Sequence, residues 1–478
     1  MLAAPAVLVR GQEPDARAEA RIQEFAERAR SAQASGDLQR AIEAYQGILR
    51  IRPGWGPVEL NLGLMYQLQK NYNEALRFFN SALQHDATLA PAHLFRGIAY
   101  FNTAQYEKAY SALQTYLKLR PDDREVRFFL AGAEFARGNY FAAARRYLEQ
   151  IRLQPERGEL YYRLGESYLA IAREYAGKLE SEPKGKYYLW LLSAEGHAQK
   201  GEREAAESAL REAKKLDPTA PDSEAALAPV TKPCTARSAA MRARTTAGAS
   251  LENASCQETQ GDFEGATAAL AAARSAPGFD ARMIYLSSRV LMRLANRSIA
   301  RLVALAPDSY LVAMMQGLVA EQGGSDTEAE REFGRAVASN PPDAQPWIEY
   351  ARIKAKQNRF AEAIDPLQKA LERDPYNPRA QALLGETYLN IEQAQAAIPH
   401  LERAVRANPA DIQLRILLAR SLSGSHQVVR AVSVLEAAPE DPEGRIQYVL
   451  AGFYRQLGRT ADANRALANF EARRKKTN

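Results

Sequence analysis

Small and large apolar residues recur in a fixed order along this chain, in blocks separated by polar turns. In one block Leu62-Gly63 precede Tyr66, a polar turn follows at Lys70-Asn71, and then come Ala75, Phe79 and Ala82. The next block repeats the order with Gly97, Tyr100, Ala109, Leu113 and Tyr116, and the one after with Ala131, Gly138, Ala143 and Tyr147. Late in the chain the same order returns as Tyr350, Ala351, Asn358, Ala363, Leu367 and Ala370, then Leu384, Gly385, Tyr388, Ala397, Leu401 and Ala404. Apolar spacing of three and four residues predicts amphipathic helices, two to a block. Helix-breaking prolines keep the same ruler: Pro53, Pro121 and Pro155, with Ala87 filling the gap, stand at steps of 34 residues, as do Pro307, Pro341, Pro375 and Pro409.

The residue types have physical reasons. Ala or Gly where two helices cross lets them approach closely. Gly36, Gly138, Gly201, Gly261 and Gly458 stand where a first helix must stop, because glycine accepts the left-handed cap conformation. Proline stops the second helix by lacking an amide donor. No block can bury its apolar face alone, so stability must come from its neighbours.

This pattern resembles the tetratricopeptide repeat (TPR), from about Ile22 to the C-terminus. Gly63, Gly97, Gly165, Gly317 and Gly385 match the small position of the first helix. Ala41, Ala75, Ala109, Ala143, Ala206, Ala329, Ala363, Ala397, Ala431 and Ala463 match the small position of the second. The resemblance implies an all-α solenoid, a right-handed superhelix of antiparallel helix pairs.

Three intervals break the ruler. Two are short, near residues 158–186 and 281–309, and neither has a Gly-rich turn at the usual place. Each reads as a first helix running almost directly into a second, a local change of pitch. The third, residues 221–246, is dense in Ala, Ser and Thr and reads as a connector. The expected organisation is residues 1–21 as a truncated signal peptide or disordered N-terminus, one array over 22–220, the connector, and a second array over 247–478.

Composition changes this picture little. The 478 residues carry a net charge of +6 and 25% charged side chains, which is no footprint of a nucleic-acid binder. No apolar run is long enough to cross a membrane. The start, Met1-Leu-Ala-Ala-Pro-Ala-Val-Leu-Val, looks like the back half of a signal peptide without its basic region, which favours a periplasmic or secreted location over a cytoplasmic one. Cys234 and Cys256 are the only cysteines; they are either two small helix residues or, if the chain is exported, a disulfide. His85 and His93 flank an inter-block turn and read as surface histidines. No metal-ligand spacing, phosphate loop or nucleophile elbow is visible, so no catalytic residue, cofactor or metal is expected.

The resemblance also implies a concave face lined by the first helices. In this register it carries Leu60, Leu64, Leu94, Ile98, Phe101, Phe128, Phe135, Tyr162 and Tyr188, with Glu166 among them. The corresponding later row is more polar: Gln345, Arg352, Arg379, Glu386, Gln413 and Arg420. Aromatic anchors in a groove suit an extended or helical peptide. The expected function is therefore a non-catalytic scaffold for a protein or peptide partner, in the style of long bacterial TPR-only proteins of envelope assembly or secretion. The second expectation is a regulatory or substrate-recognition subunit of a separate enzyme, such as a glycosyltransferase.

Overall fold

The computed structural model describes residues 16–199, 201–220, 246–439 and 441–477. The N-terminal segment up to residue 15, nearly all of the connector, and Cys234 lie outside the described residues. Every regular element described is an α-helix. The chain divides into two compact units, Met1–Val126 and Arg127–Asn478.

The first unit is built of successive antiparallel pairs. These are α1 (Ala16–Ala34) with α2 (Leu38–Ile51), α3 (Gly56–Leu68) with α4 (Tyr72–His85), and α5 (Ala90–Asn102) with α6 (Tyr106–Leu119). The packing rule is visible at single atoms. A Cβ on Gly63 would lie 2.6 Å from the Phe79 ring, and one on Gly97 would lie 2.8 Å from Leu113. Ala41, Ala75 and Ala109 are fully buried across the crossing. The surface reading of His93 is corrected here. It is 8% exposed, and its ring meets the Ala87 carbonyl at 3.0 Å because the inter-pair turn folds over it.

The second unit begins in the same way. α7 (Arg124–Ala136), which enters it, precedes α8 (Tyr140–Leu153). The pattern then changes. α9 (Gly158–Ser181) has 24 residues, where α3 and α5 have 13 each. Two helix hairpins follow, α10 (Gly185–Gln199) with α11 (Arg203–Leu216) and α12 (Ala247–Thr259) with α13 (Phe263–Ser275). α14 (Ala281–Leu305) then runs for 25 residues.

α9 and α14 are the two short intervals of the sequence, and the structure corrects their reading. Neither is a helix running into a second helix. Each is one continuous helix, and the two pack against each other as one antiparallel pair. Gly158 lies against Leu302, Gly165 against Ser298, and the Tyr175 ring meets Phe279 at 5.7 Å. Gly165 holds the same place after Pro155 that Gly385 holds after Pro375. Ala295, fully buried, stands as far before Pro307 as Ala363 stands before Pro375. The pair thus satisfies the repeat's own packing rule with halves drawn from opposite sides of residues 221–246. One apolar core runs through both halves, from Ala131 to Ile353.

Charged side chains tie the hairpins to this pair. Glu195 of α10 accepts from Arg289 of α14 at 2.9 Å. Glu258 of α12, 1% exposed, accepts from Arg293 and Arg297 at 2.7 Å each. Two charges on one buried carboxylate leave no oxygen unsatisfied, which is the condition for burying it.

Regular pairs then resume. They are α15 (Tyr310–Gln322) with α16 (Asp326–Ala338), α17 (Gln345–Lys356) with α18 (Phe360–Arg373), and α19 (Pro378–Asn390) with α20 (Ala394–Ala407). α21 (Ile412–Gly424) with α22 (Val428–Glu436) and α23 (Arg445–Gln456) with α24 (Thr460–Thr477) complete the series. A Cβ on Gly317 would lie 2.5 Å from Phe333, and one on Gly385 would lie 2.5 Å from Leu401.

The turn inside each pair follows the same ruler. Gly36, Gly138, Gly201, Gly261 and Gly458 all have positive φ, as the sequence predicts. The structure adds Lys70, Ala104, Asn358, Glu392 and His426, whose φ values fall between 58° and 61° at the equivalent place. There the turn imposes a left-handed residue with no glycine to ease it.

Candidate functional site

The second unit holds a cavity of about 420 Å³ on the face formed by its first helices. Three helices present a stripe to it. Glu166, Leu169, Ala170 and Arg173 follow one face of α9, Leu318 and Glu321 one face of α15, and Gln345, Glu349 and Arg352 one face of α17. These spacings of three, four and seven place the side chains in single rows. Phe135 of α7 and Arg379 of α19 close the ends. The floor is apolar, of Phe135, Leu169, Ala170 and Leu318, and the walls are charged.

Almost every wall charge is neutralised within the wall. Glu349 is 3% exposed and accepts from Arg379 at 2.6 Å, from Gln345 at 2.6 Å and from Arg352 at 2.7 Å. Arg352 also forks onto both oxygens of Glu321, at 2.7 and 2.5 Å. Burial pushes the Glu349 carboxyl up, but Arg379 and Arg352 more than offset it and hold the group below the ordinary carboxylate value. On the opposite wall Glu166 accepts from Arg163 at 2.9 Å and from the Tyr162 hydroxyl at 3.3 Å.

The sequence-predicted groove residues fall into two groups. Phe135 and Glu166 line this cavity, together with Gln345, Arg352 and Arg379 from the row expected to be more polar. The α9–α14 pair brings the two rows together on one face, which contiguous reading of the repeats misses. Phe128 packs edge-on to Tyr147 and lies under Arg157. Tyr162 and Tyr188 are 2% and 7% exposed, and Tyr188 stacks on Tyr285 at 5.2 Å. Those two are core residues. In the first unit Leu60 is 9% exposed, while Leu64, Leu94, Ile98 and Phe101 are half-buried, with Phe101 edge-on to Tyr106.

Cys256 is buried in α12, and no free thiol occurs among the described residues. No cluster of three His, Cys, Asp or Glu side chains that could hold a metal ion is found among them either. No described helix is long and apolar enough to cross a membrane.

With the helix pairs, their crossing glycines and the inner groove in view, comparison with known proteins gives a consistent result. Two family models described as "Tetratricopeptide repeat" match, one over residues 66–133 and 391–451, the other over 26–91, 292–345 and 348–412. The chain belongs to the tetratricopeptide repeat family. The matched stretches resume at residue 292, inside α14, in its half that completes the repeat begun by α9.

Among curated proteins the chain is similar to the peroxisomal targeting signal receptor of Komagataella phaffii. The two are 30% identical over 109 residues, 23% of this chain and 18% of the receptor. It is similar also to mouse tetratricopeptide repeat protein 21B, 37% identical over 67 residues, 14% of this chain and 5% of that protein. The chain therefore spans less than a fifth of the length of these relatives. Solved structures of similar chains include MamA from Desulfovibrio magneticus RS-1, with 20% identity, TM-score 0.34, and coverage of 35% of this chain and 97% of that one. Pseudomonas aeruginosa PilF gives 16% identity and TM-score 0.33, over 40% of this chain and 90% of that one.

Proposed function

We propose that this protein is a non-catalytic interaction scaffold whose second unit takes a segment of a protein partner into the groove between α9, α15 and α17. The observation that carries the reading is the groove itself. It has an apolar floor in a cavity of about 420 Å³, and walls whose charges are mostly paired already. Wall charges satisfied in advance need not be reorganised when a partner enters, which lowers the cost of binding. Catalysis needs a group held reactive, and the wall carboxylates of this groove are committed to arginines.

Of the aromatic row, Phe135 is the residue that this function uses. Tyr162 and Tyr188 serve packing. The test is affinity capture from native lysate with quantitative mass spectrometry, comparing the full chain with Phe135→Ser and Leu318→Ser variants shown by circular dichroism to keep their helices. A partner captured by the full chain and lost from both variants supports the groove. Equal capture by all three sinks it.

A further inference from the structure

The groove has one charge that its walls do not use. Arg352 and Arg379 are spent on Glu321 and Glu349, and Glu166 is held by Arg163. Arg173 also lines the cavity, is exposed, and makes no ion pair or hydrogen bond among the described residues. Its place in the fold is unusual. First helices elsewhere in this chain, such as α3, α15 and α19, have 13 residues. Arg173 lies in the part of α9 beyond that length, so a regular repeat has no side chain there. The elongation that α9 needs in order to pair with α14 also raises a rim beside the groove, and the rim carries a free guanidinium.

Resting on the scaffold reading above, we propose that the groove recognises a partner segment in which a bulky apolar side chain is accompanied, a few residues away, by an acidic one. The apolar side chain enters between Leu169 and Leu318, against Phe135. The carboxylate meets the Arg173 guanidinium at the rim. Charge complementarity selects the partner. Glu166, Glu321 and Glu349 are each neutralised by a neighbouring arginine, so the uncommitted charge presented to an incoming segment is positive. A guanidinium fork suits a carboxylate, and the apolar floor beside it strengthens the attraction by excluding water. A basic segment would meet Arg173 with like charge and no free acid to compensate, a repulsive element that sharpens selection.

The experiment uses the full chain as bait for a phage library of random twelve-residue peptides, with Arg173→Glu and Leu318→Ser variants as parallel baits. Wild-type selection is expected to enrich an apolar residue with Asp or Glu within a few positions. The selected peptides should bind Arg173→Glu about tenfold more weakly, and wild-type affinity should fall as salt rises. Selection on Arg173→Glu should shift the acidic position towards Lys or Arg. Peptides that depend on Leu318 but show no acidic preference and bind Arg173→Glu equally well would overturn the charge proposal and leave the groove standing. No enrichment by the wild type, or the same peptides on Leu318→Ser, would overturn the groove reading as well. Arg173 is exposed, and circular dichroism of each bait confirms that folding is unchanged.

Discussion

The α19–α20 pair and the α9–α14 pair obey one packing rule by different routes. In the first, Gly385 receives Leu401 sixteen residues later, across a single turn. In the second, Gly165 receives Ser298 and Met315, more than a hundred residues later. The remote pair is handicapped at the outset. Lengthening a connection from a few residues to about a hundred costs about 3 kcal/mol in closure entropy, at about 0.6 kcal/mol per doubling. Its extra length supplies the compensation. Tyr175 and Leu179 on the added part of α9, and Ile284 and Tyr285 on that of α14, are all within 2% of full burial. Each such side chain contributes about 1.5–3 kcal/mol. A pair joined through a distant connection has to be longer and drier than one joined by a turn.

The sharpest test uses one repeat position in both settings. Tyr168 and Tyr388 each follow the crossing glycine by three residues. Tyr168 is fully buried and bonds Thr267 at 2.7 Å, whereas Tyr388 is half-buried and stacks on His400 at 5.8 Å. Tyr168→Ala is expected to destabilise the second unit by about 3–5 kcal/mol. Tyr388→Ala should cost about 1–2 kcal/mol, in proportion to the smaller area it loses. Denaturant unfolding of both variants measures the gap, and equal costs would remove the distinction between the pairs.

A second test cuts the covalent link. A protease site placed within residues 221–245 and cleaved under reducing conditions should leave two fragments that co-elute on gel filtration, because α9 and α14 still hold them. Adding Tyr168→Ala should release them. Fragments that separate without that substitution would show the pairing to be weaker than its burial implies.

A third, smaller effect distinguishes the groove walls from the pair. Glu349 has its carboxyl held below the ordinary value. A depressed carboxyl contributes stability above its unfolded value and loses it as pH falls through the folded one. Stability should therefore drop on acidification below about pH 4.5, the usual range for a glutamate. Glu349→Gln should flatten that acid limb while leaving neutral-pH behaviour of the α9–α14 pair intact. An unchanged acid limb would contradict the assignment.

The smallest effects lie in the turns of the regular pairs. Lys70→Gly and Glu392→Gly relieve left-handed residues with φ of 59° and 61°, and each should raise stability by about 0.5–1 kcal/mol. Gly138→Ala, at φ 80°, should lower it by a similar amount. Thermal unfolding resolves both signs.

The local pairs were legible because each carries all its information within 34 residues: a glycine, a buried alanine and a breaker. The remote pair was half legible. Gly165 and the missing turns were visible, but a periodic reading joins neighbours in sequence and has no term for a partner on the far side of four other described helices. The stronger clue was that each short interval lacked the half that the other possessed. The groove was obscured for the same reason. Phe135 and Glu166 were identified, as were Gln345, Arg352 and Arg379, but as parts of two rows. Tyr162 and Tyr188 were misleading because an aromatic on the expected face and an aromatic buried in the core have the same sequence spacing. Arg173 gave no signal, since its position exists only where a first helix overruns its normal length.

The distance between α9 and α14 also has a meaning in time. A ribosome adds about 5–20 residues per second, so α9 emerges some 5–20 seconds before the helix it must pair with. The helices before it can close pair by pair as they appear. α9 has to wait with the apolar side of Tyr168, Tyr175 and Leu179 uncovered while two hairpins and the connector are made. The newborn chain thus carries a sticky interval that the finished protein conceals, and its yield in the cell should depend on what shelters that helix until its partner arrives.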